Sequence, residues 1–136
     1  MRHVLATAVV AAGLACSGPA PPSGLDTPRP GIYAGPIHDS KGAGGDGIAT
    51  LSLETTGPTV SGTWLIDLSN GAYRRDGFLR GEAVGGHVNL VLLPAKATDC
   101  TFGIQAVTGT DDRISGTFAS VSCTAAFGGS LELRRQ

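Results

Sequence analysis

Short segments with apolar residues at every second position follow one another from Gly31 to the C-terminus, as in GIATLSLET (47–55). A period of two is the period of a strand with one buried face. Turn-forming Gly, Pro, Asp and Asn separate the segments. The predicted strands are 31–35, 47–55, 59–68, 72–84 (with a bulge at Asp76 and Gly77), 87–94, 100–108, 113–122 and 125–135. About eight short strands joined by short turns predict an all-β, antiparallel up-and-down β-barrel, with a flattened β-sandwich as the alternative.

A five-residue phrase occurs twice, as VSGTW (60–64) and as ISGTF (114–118). Both copies open a predicted strand after a tight turn, and alternation places their first, third and fifth residues on one face. The central residues of these rows are Gly62 and Gly116. A glycine in an inward-facing row removes side-chain volume and lets the strand bend, as the closure of a small sheet into a barrel requires. The repeat therefore predicts two corners of a barrel.

The same alternation predicts the residues that fill the barrel. They are Leu51, Leu53, Val60, Trp64, Leu90, Leu92, Phe102, Ile104, Phe118, Leu131 and Leu133. An eight-stranded barrel is just wide enough to be filled by side chains or to hold one small ligand. We therefore consider Trp64, Phe102 and Phe118 as the lining of a ligand pocket, with a solid core as the alternative.

The N-terminus has the features of an export signal. A basic start at Arg2 precedes an apolar run (4–15) that is too short to span a bilayer. The run ends in GLA (13–15) followed by Cys16, and this segment resembles the lipobox of bacterial lipoproteins, although Gly13 stands where leucine is most common. The resemblance implies that residues 1–15 are a signal peptide and that Cys16 carries a lipid. Ordinary secretion, with cleavage near residue 15 or 20, is the alternative.

Residues 16–30 are rich in Pro, Gly and Ser, a composition typical of an extended, mobile tether. Such a tether would hold the β-barrel domain (31–136) away from a membrane. Ser17 provides no inner-membrane retention signal. The predicted location is therefore the bacterial cell envelope, as an outer-membrane lipoprotein that faces the periplasm or the cell surface, with secretion as the alternative.

The domain itself resembles the small meander barrels of the lipocalin and avidin kind, whose strands carry phrases like VSGTW after hairpin turns. The resemblance implies the fold more than a ligand. Avidin-type pockets need several tryptophans and this chain has only Trp64, so biotin binding is not expected. GIY (31–33) only approximates the Gly-x-Trp opening of lipocalins. In its overall sequence pattern the chain is similar to small bacterial lipoproteins with a two-cysteine barrel.

Cys100 and Cys123 remain as a pair once Cys16 is assigned to a lipid. Folding the predicted hairpin about Asp111 and Asp112 brings them opposite each other, and an oxidising compartment then favours a disulfide. A metal site would need further ligands, and no histidine lies near either cysteine. Two free buried thiols are the other alternative.

The net charge and the small number of candidate catalytic residues argue against several functions. A formal net charge of −1 and an aromatic content of 5% do not favour nucleic-acid binding. His38 and Asp39 lie in a glycine-rich stretch, PIHDSKGAGGDG, that is expected to be a solvated loop. We predict no catalytic, cofactor or metal-binding residues.

The sequence thus favours a non-enzymatic, membrane-anchored lipoprotein whose barrel binds a small apolar ligand or an envelope protein. A second hypothesis is a small hydrolase or isomerase that uses His38 or His87. A third is a secreted inhibitor or envelope assembly factor that acts through its surface strands or through an N-terminal arm (17–30).

Overall fold

Eight antiparallel strands form a closed barrel in the computed structural model, which describes residues 27–42 and 44–136. The strands are β1 (Gly31–Asp39), β2 (Gly45–Thr56), β3 (Thr59–Leu68), β4 (Tyr73–Val84), β5 (His87–Pro94), β6 (Phe102–Thr108), β7 (Arg113–Ser120) and β8 (Gly128–Arg135). Each strand pairs with the next, and β8 pairs with β1 to close the sheet. The predicted up-and-down barrel is therefore confirmed over the sandwich. The described ranges contain no helix that is long and apolar enough to cross a membrane.

Strand boundaries match the predictions for β3 and β5 and differ elsewhere. β1 runs four residues beyond the predicted end because it pairs with β2 along its whole length, from Gly31 to Asp39. The predicted bulge at Asp76 and Gly77 is wrong, since β4 stays in continuous register with both neighbouring strands. Gly77 instead permits a close approach, because a Cβ there would lie 1.9 Å from the carbonyl oxygen of Leu93.

The repeated phrase stands where the sequence predicts it, one residue after the start of β3 and of β7. Gly62 has a φ of 149°, and a Cβ at this position would lie 1.8 Å from the carbonyl oxygen of Ser52. At Gly116 a Cβ would lie 2.1 Å from the carbonyl oxygen of Gln105. In both places the neighbouring strand occupies the space of a side chain, which allows the sheet to curve.

The barrel interior is filled by side chains from all eight strands. Every residue predicted to face inward is at most 4% exposed. Burying a large apolar side chain contributes about 1.5–3 kcal/mol relative to leaving it exposed. The eleven predicted residues make up half of the 22 buried hydrophobic residues in the described ranges.

The two ends of the barrel differ in their connections. At one end, the turn end, lie three tight turns (57–58, 85–86 and 109–112) and both ends of the described barrel chain. The loop end carries the four other connections, residues 40–44, 69–72, 95–101 and 121–127. Binding and catalytic residues lie on loops more often than in tight turns, so a functional site is expected at the loop end.

The chain enters the barrel from the turn end. There Pro28 is buried, and the hydroxyl of Tyr33 donates a 2.8 Å hydrogen bond to the carbonyl of Arg29. Arg29 also lies 3.6 Å from the carboxylate of Asp112. Residues 27–30 are thus packed against the turn end. The predicted signal peptide, Cys16 and the rest of the predicted tether lie outside the described residues.

Candidate ligand-binding cleft

The three aromatic residues predicted to line a pocket meet inside the barrel. The ring centroid of Phe102 lies 5.9 Å from that of Trp64 and 6.3 Å from that of Phe118. All three side chains are at most 3% exposed and belong to the core. The structure therefore brings them together as a buried cluster, and their role as a pocket lining stays a prediction.

Two further aromatic residues, Tyr73 and Phe127, extend this cluster to the surface of the loop end. Their ring centroids lie 4.7 Å apart, and each also lies within 6.4 Å of the ring of Phe102. Both side chains are only partly buried. Neither residue is among those predicted to face inward, although Tyr73 falls on the same alternating face as Leu79, and Phe127 on that of Leu131. Strand alternation would have identified them.

A cleft of about 480 Å³ opens to solvent above these two rings. It lies between three loops of the loop end and is lined by Lys41, Gly42, Gly44, Ser69, Ala72, Tyr73, Ala125, Ala126 and Phe127. Small side chains predominate in this lining, so that a ligand can reach the aromatic rings. The hydroxyl of Ser69 donates a hydrogen bond to the carbonyl of Gly44 and joins two of the loops. The cleft thus offers an apolar, aromatic floor that is open to solvent.

The first of these loops is held by a buried carboxylate. Asp39 is 3% exposed and accepts backbone N–H groups from Lys41 (3.2 Å), Gly42 (3.1 Å), Gly44 (3.0 Å) and Gly128 (2.9 Å). Burial on its own would raise the pKa of this carboxyl, but the four N–H groups together hold the pKa below its ordinary value. Asp39 is therefore ionised at neutral pH and ties the loop to the start of β8.

The expectation that His38 and Asp39 share a solvated loop is wrong. Both residues belong to β1, and successive strand residues point to opposite faces. Asp39 points inward, whereas His38 points outward and pairs through Nδ1 with the carboxylate of Asp46 on β2. The two side chains therefore do not form a base with its orienting partner.

Tyr73 is placed by contacts on both sides of its ring. The guanidinium of Arg75 lies 4.8 Å from the ring centroid, and its Nε lies 3.3 Å from the carboxylate of Asp99. The Tyr73 hydroxyl is buried without a hydrogen-bond partner in the described part of the chain. Desolvation raises the pKa of this phenol, so the hydroxyl stays protonated. The Tyr73 ring is therefore a fixed, neutral part of the cleft floor.

The predicted disulfide between Cys100 and Cys123 is present, with Cα atoms 5.0 Å apart. It joins the loop 95–101 to the loop 121–127, at the open end of the β6–β7 hairpin. The second loop carries Phe127 and the two alanines of the cleft lining. The disulfide therefore constrains one wall of the cleft as well as the hairpin.

A second depression, of about 510 Å³, lies on the outer wall of the barrel. Its lining includes Ile32 and Phe78, which are 51% and 68% exposed. Trp64 reaches this region from inside, where its indole N–H lies 3.1 Å from the carbonyl of Phe78 and 3.0 Å from that of Leu93. The outer depression is lined by residues of β1 to β4 and by one loop residue, Ala95, whereas residues of three loops line the loop-end cleft.

The loop-end cleft is thus the candidate site, with the outer depression as its comparison. Searches with this chain against protein-family models, curated proteins and solved structures find no match. Function is therefore inferred from the contacts and chemistry of this chain alone.

Proposed function

We propose that this chain is a non-enzymatic binding module of the bacterial cell envelope, anchored by a lipid on Cys16, and that its loop-end cleft binds a small apolar ligand. The observation that carries the proposal is the pair of partly buried rings, Tyr73 and Phe127, at the floor of an open cleft. Clefts lined by apolar and aromatic side chains with few polar groups are the usual form of small-molecule sites.

The cleft is a better site than the barrel interior. Phe102 contacts both Trp64 and Phe118 within a packed core, so a ligand among them would have to displace side chains. Tyr73 and Phe127 already present apolar surface to solvent, and covering that surface with a ligand is favourable without rearrangement. The buried aromatic cluster supports the two surface rings from below.

The position of the cleft also suits a membrane-anchored protein. The chain enters the barrel at the turn end, and the cleft lies at the opposite, loop end. An anchor on Cys16 would therefore leave the cleft facing away from the membrane. Residues 17–26 would add a spacer of at most about 35 Å when fully extended. The disulfide at the loop end supports a location outside the cytoplasm.

Two variants of the full chain test the site with the neutral fluorescent probe N-phenyl-1-naphthylamine. We expect Phe127→Ala to weaken probe binding about tenfold, the equivalent of roughly 1.4 kcal/mol of lost contact. The matched control is Phe78→Ala, which removes an exposed ring from the outer depression and should leave the dissociation constant unchanged. Fluorescence titration of the folded variants provides the measurement.

The reverse pattern, with loss of binding only in Phe78→Ala, would move the site to the outer depression. Probe binding that is lost in Trp64→Ala, yet unchanged in both Phe127→Ala and Phe78→Ala, would instead favour the barrel interior. Lipid attachment is tested separately by metabolic labelling with radioactive palmitate in a bacterial host. The native chain should be labelled and Cys16→Ser should not; an unlabelled native chain would favour secretion.

The mass of the purified mature protein, measured under native and denaturing conditions, tests whether a natural ligand is carried. Additional mass that is lost on denaturation would identify the cargo directly. Equal masses together with absence of probe binding would contradict the small-ligand proposal and favour a partner protein.

A further inference from the structure

We infer that the cleft selects ligands that carry an anionic group beside their apolar body, and that Lys41 supplies the cation that recognises it. The inference rests on the proposed function of the cleft and adds the chemical class of its ligand. Lys41 is the one charged residue among the nine that line the cleft. Its side chain is exposed, at the edge of the aromatic floor.

The position of Lys41 is determined by its surroundings. Its backbone N–H lies 3.2 Å from the carboxylate of Asp39 and 3.2 Å from the carbonyl of Gly128. Its aliphatic stem crosses the start of β8, where a Cβ on Gly128 would lie only 3.0 Å from the lysine Cδ. Gly128 directly follows Phe127 in the chain. The lysine stem is thus held against the start of β8, next to Phe127 of the cleft floor.

The ammonium group of Lys41 is free to bind a ligand. No carboxylate in the described residues lies within ion-pair distance of it. The two arginines near the cleft differ in this respect, because Arg75 pairs with Asp99 and Arg74 pairs with Asp67. Lys96 has no ion pair among the described residues either, but it lies outside the cleft lining. A cation without a partner beside an apolar floor matches an amphiphile with a carboxylate, sulfonate or phosphate group.

The carboxylate of Asp39, which accepts the backbone N–H of Lys41, does not cancel this preference. Its carboxylate lies beneath the loop at 3% exposure, and four backbone N–H dipoles point at it. A ligand that enters the cleft meets the exposed ammonium of Lys41 first. Contact with apolar walls lowers the local dielectric constant and strengthens the attraction relative to bulk water.

Two probes with the same N-phenylnaphthylamine body test the inference: 8-anilinonaphthalene-1-sulfonate, which is an anion, and neutral N-phenyl-1-naphthylamine. A cleft without selectivity for anions would bind the neutral probe more tightly, because the neutral probe is the more apolar of the two. We expect the native full chain to bind the anionic probe about tenfold more tightly than the neutral one. Raising the salt concentration should narrow this gap.

Lys41→Met should weaken binding of the anionic probe about tenfold and leave binding of the neutral probe unchanged. The matched control is Lys96→Met, which removes the only other lysine of the chain, an exposed residue of the loop 95–101 outside the cleft lining. Thermal melts of both variants confirm that each is folded. The control should bind both probes as the native chain does.

The inference is wrong if the native chain binds the neutral probe more tightly than the anionic one. It is also wrong if Lys41→Met weakens binding of the anionic probe no more than Lys96→Met does. In either case the proposed function would still stand, provided that the neutral probe binds and Phe127→Ala weakens it. If neither probe binds the native chain, the small-ligand proposal and the inference both fail.

Discussion

Replacement of Asp39 by asparagine tests how far one buried carboxylate organises the loop end. Three loop N–H groups and the N–H of Gly128 converge on its oxygens. Asparagine keeps one acceptor oxygen but presents an NH₂ donor in place of the other. If the NH₂ group replaces Oδ2, it faces the N–H of Gly44, which lies 3.0 Å from that oxygen. If it replaces Oδ1, it faces the three N–H groups that contact Oδ1.

The expected loss follows from these contacts. A hydrogen bond to a charged group contributes about 1.5–3 kcal/mol net, and a buried donor without a partner costs about 1–3 kcal/mol. At least one of the four bonds is lost in the variant and the others lose their charged acceptor. We therefore expect Asp39→Asn to lower the free energy of unfolding by about 3 kcal/mol at pH 7, a large part of the 5–15 kcal/mol typical of a domain.

The pH dependence gives the same reasoning a sign. The folded-state pKa of Asp39 is lowered below the ordinary value of 3.8, so the unfolded chain binds its proton at the higher pH. The stabilisation is therefore complete above the unfolded pKa and is lost as the pH falls through the folded one. The native protein and Asp39→Asn should differ most at neutral pH and converge in strongly acidic solution.

Urea unfolding followed by circular dichroism, at pH 7 and at pH values below 4, measures both effects. The matched control is Asp46→Asn, whose carboxylate is 88% exposed on the neighbouring strand and pairs with His38 at the surface. We expect little change in its stability. The reasoning is refuted if Asp39→Asn is as stable as the native chain at pH 7, or if its deficit persists undiminished in acid.

Three further sets of substitutions test the barrel. Gly62→Ala should lower the free energy of unfolding by more than about 2 kcal/mol or prevent folding, because the added Cβ would meet a backbone carbonyl of β2. The control is Gly57→Ala, which has open space around it and should cost only about 1 kcal/mol of stability for its positive φ. Cys100→Ser combined with Cys123→Ser should cost about 3 kcal/mol, the loop-closure value for a separation of 23 residues. Trp64→Ala should cost about 3–5 kcal/mol, whereas Trp64→Phe keeps most of the apolar volume and loses only its hydrogen bonds, about 1–3 kcal/mol. Urea midpoints by circular dichroism measure all of these.

Specific results would contradict these predictions. Equal effects of alanine at Gly62 and at Gly57 would show that close approach of the strands is not what requires glycine. An unchanged midpoint after removal of the disulfide, matched by the native chain under reducing conditions, would show that the loop end is held by its other contacts. A Trp64→Phe variant as unstable as Trp64→Ala would assign the effect to the indole N–H and not to packing.

Local pattern was enough to predict the barrel. Strand alternation depends only on the two-residue period of extended backbone, so the inward-facing residues follow from the sequence, as do the bounds of β3 and β5. The pairing of Cys100 with Cys123 also follows from local information, because both lie at the open end of one hairpin. The repeated VSGTW and ISGTF phrases predicted two corners of the barrel, and the structure shows that the missing Cβ of Gly62 and of Gly116 admits the backbone of the neighbouring strand.

The candidate site depends on the tertiary structure. Tyr73 and Phe127 come from distant parts of the chain and meet only because the barrel closes and brings their loops to one end. Asp39 was misplaced for the same reason: its fourth N–H donor, Gly128, lies 89 residues away. A two-residue period says which face a side chain takes, but closure of the sheet decides which side chains share an end of the barrel. That closure buried a carboxylate expected in solvent and placed an exposed lysine beside two aromatic rings.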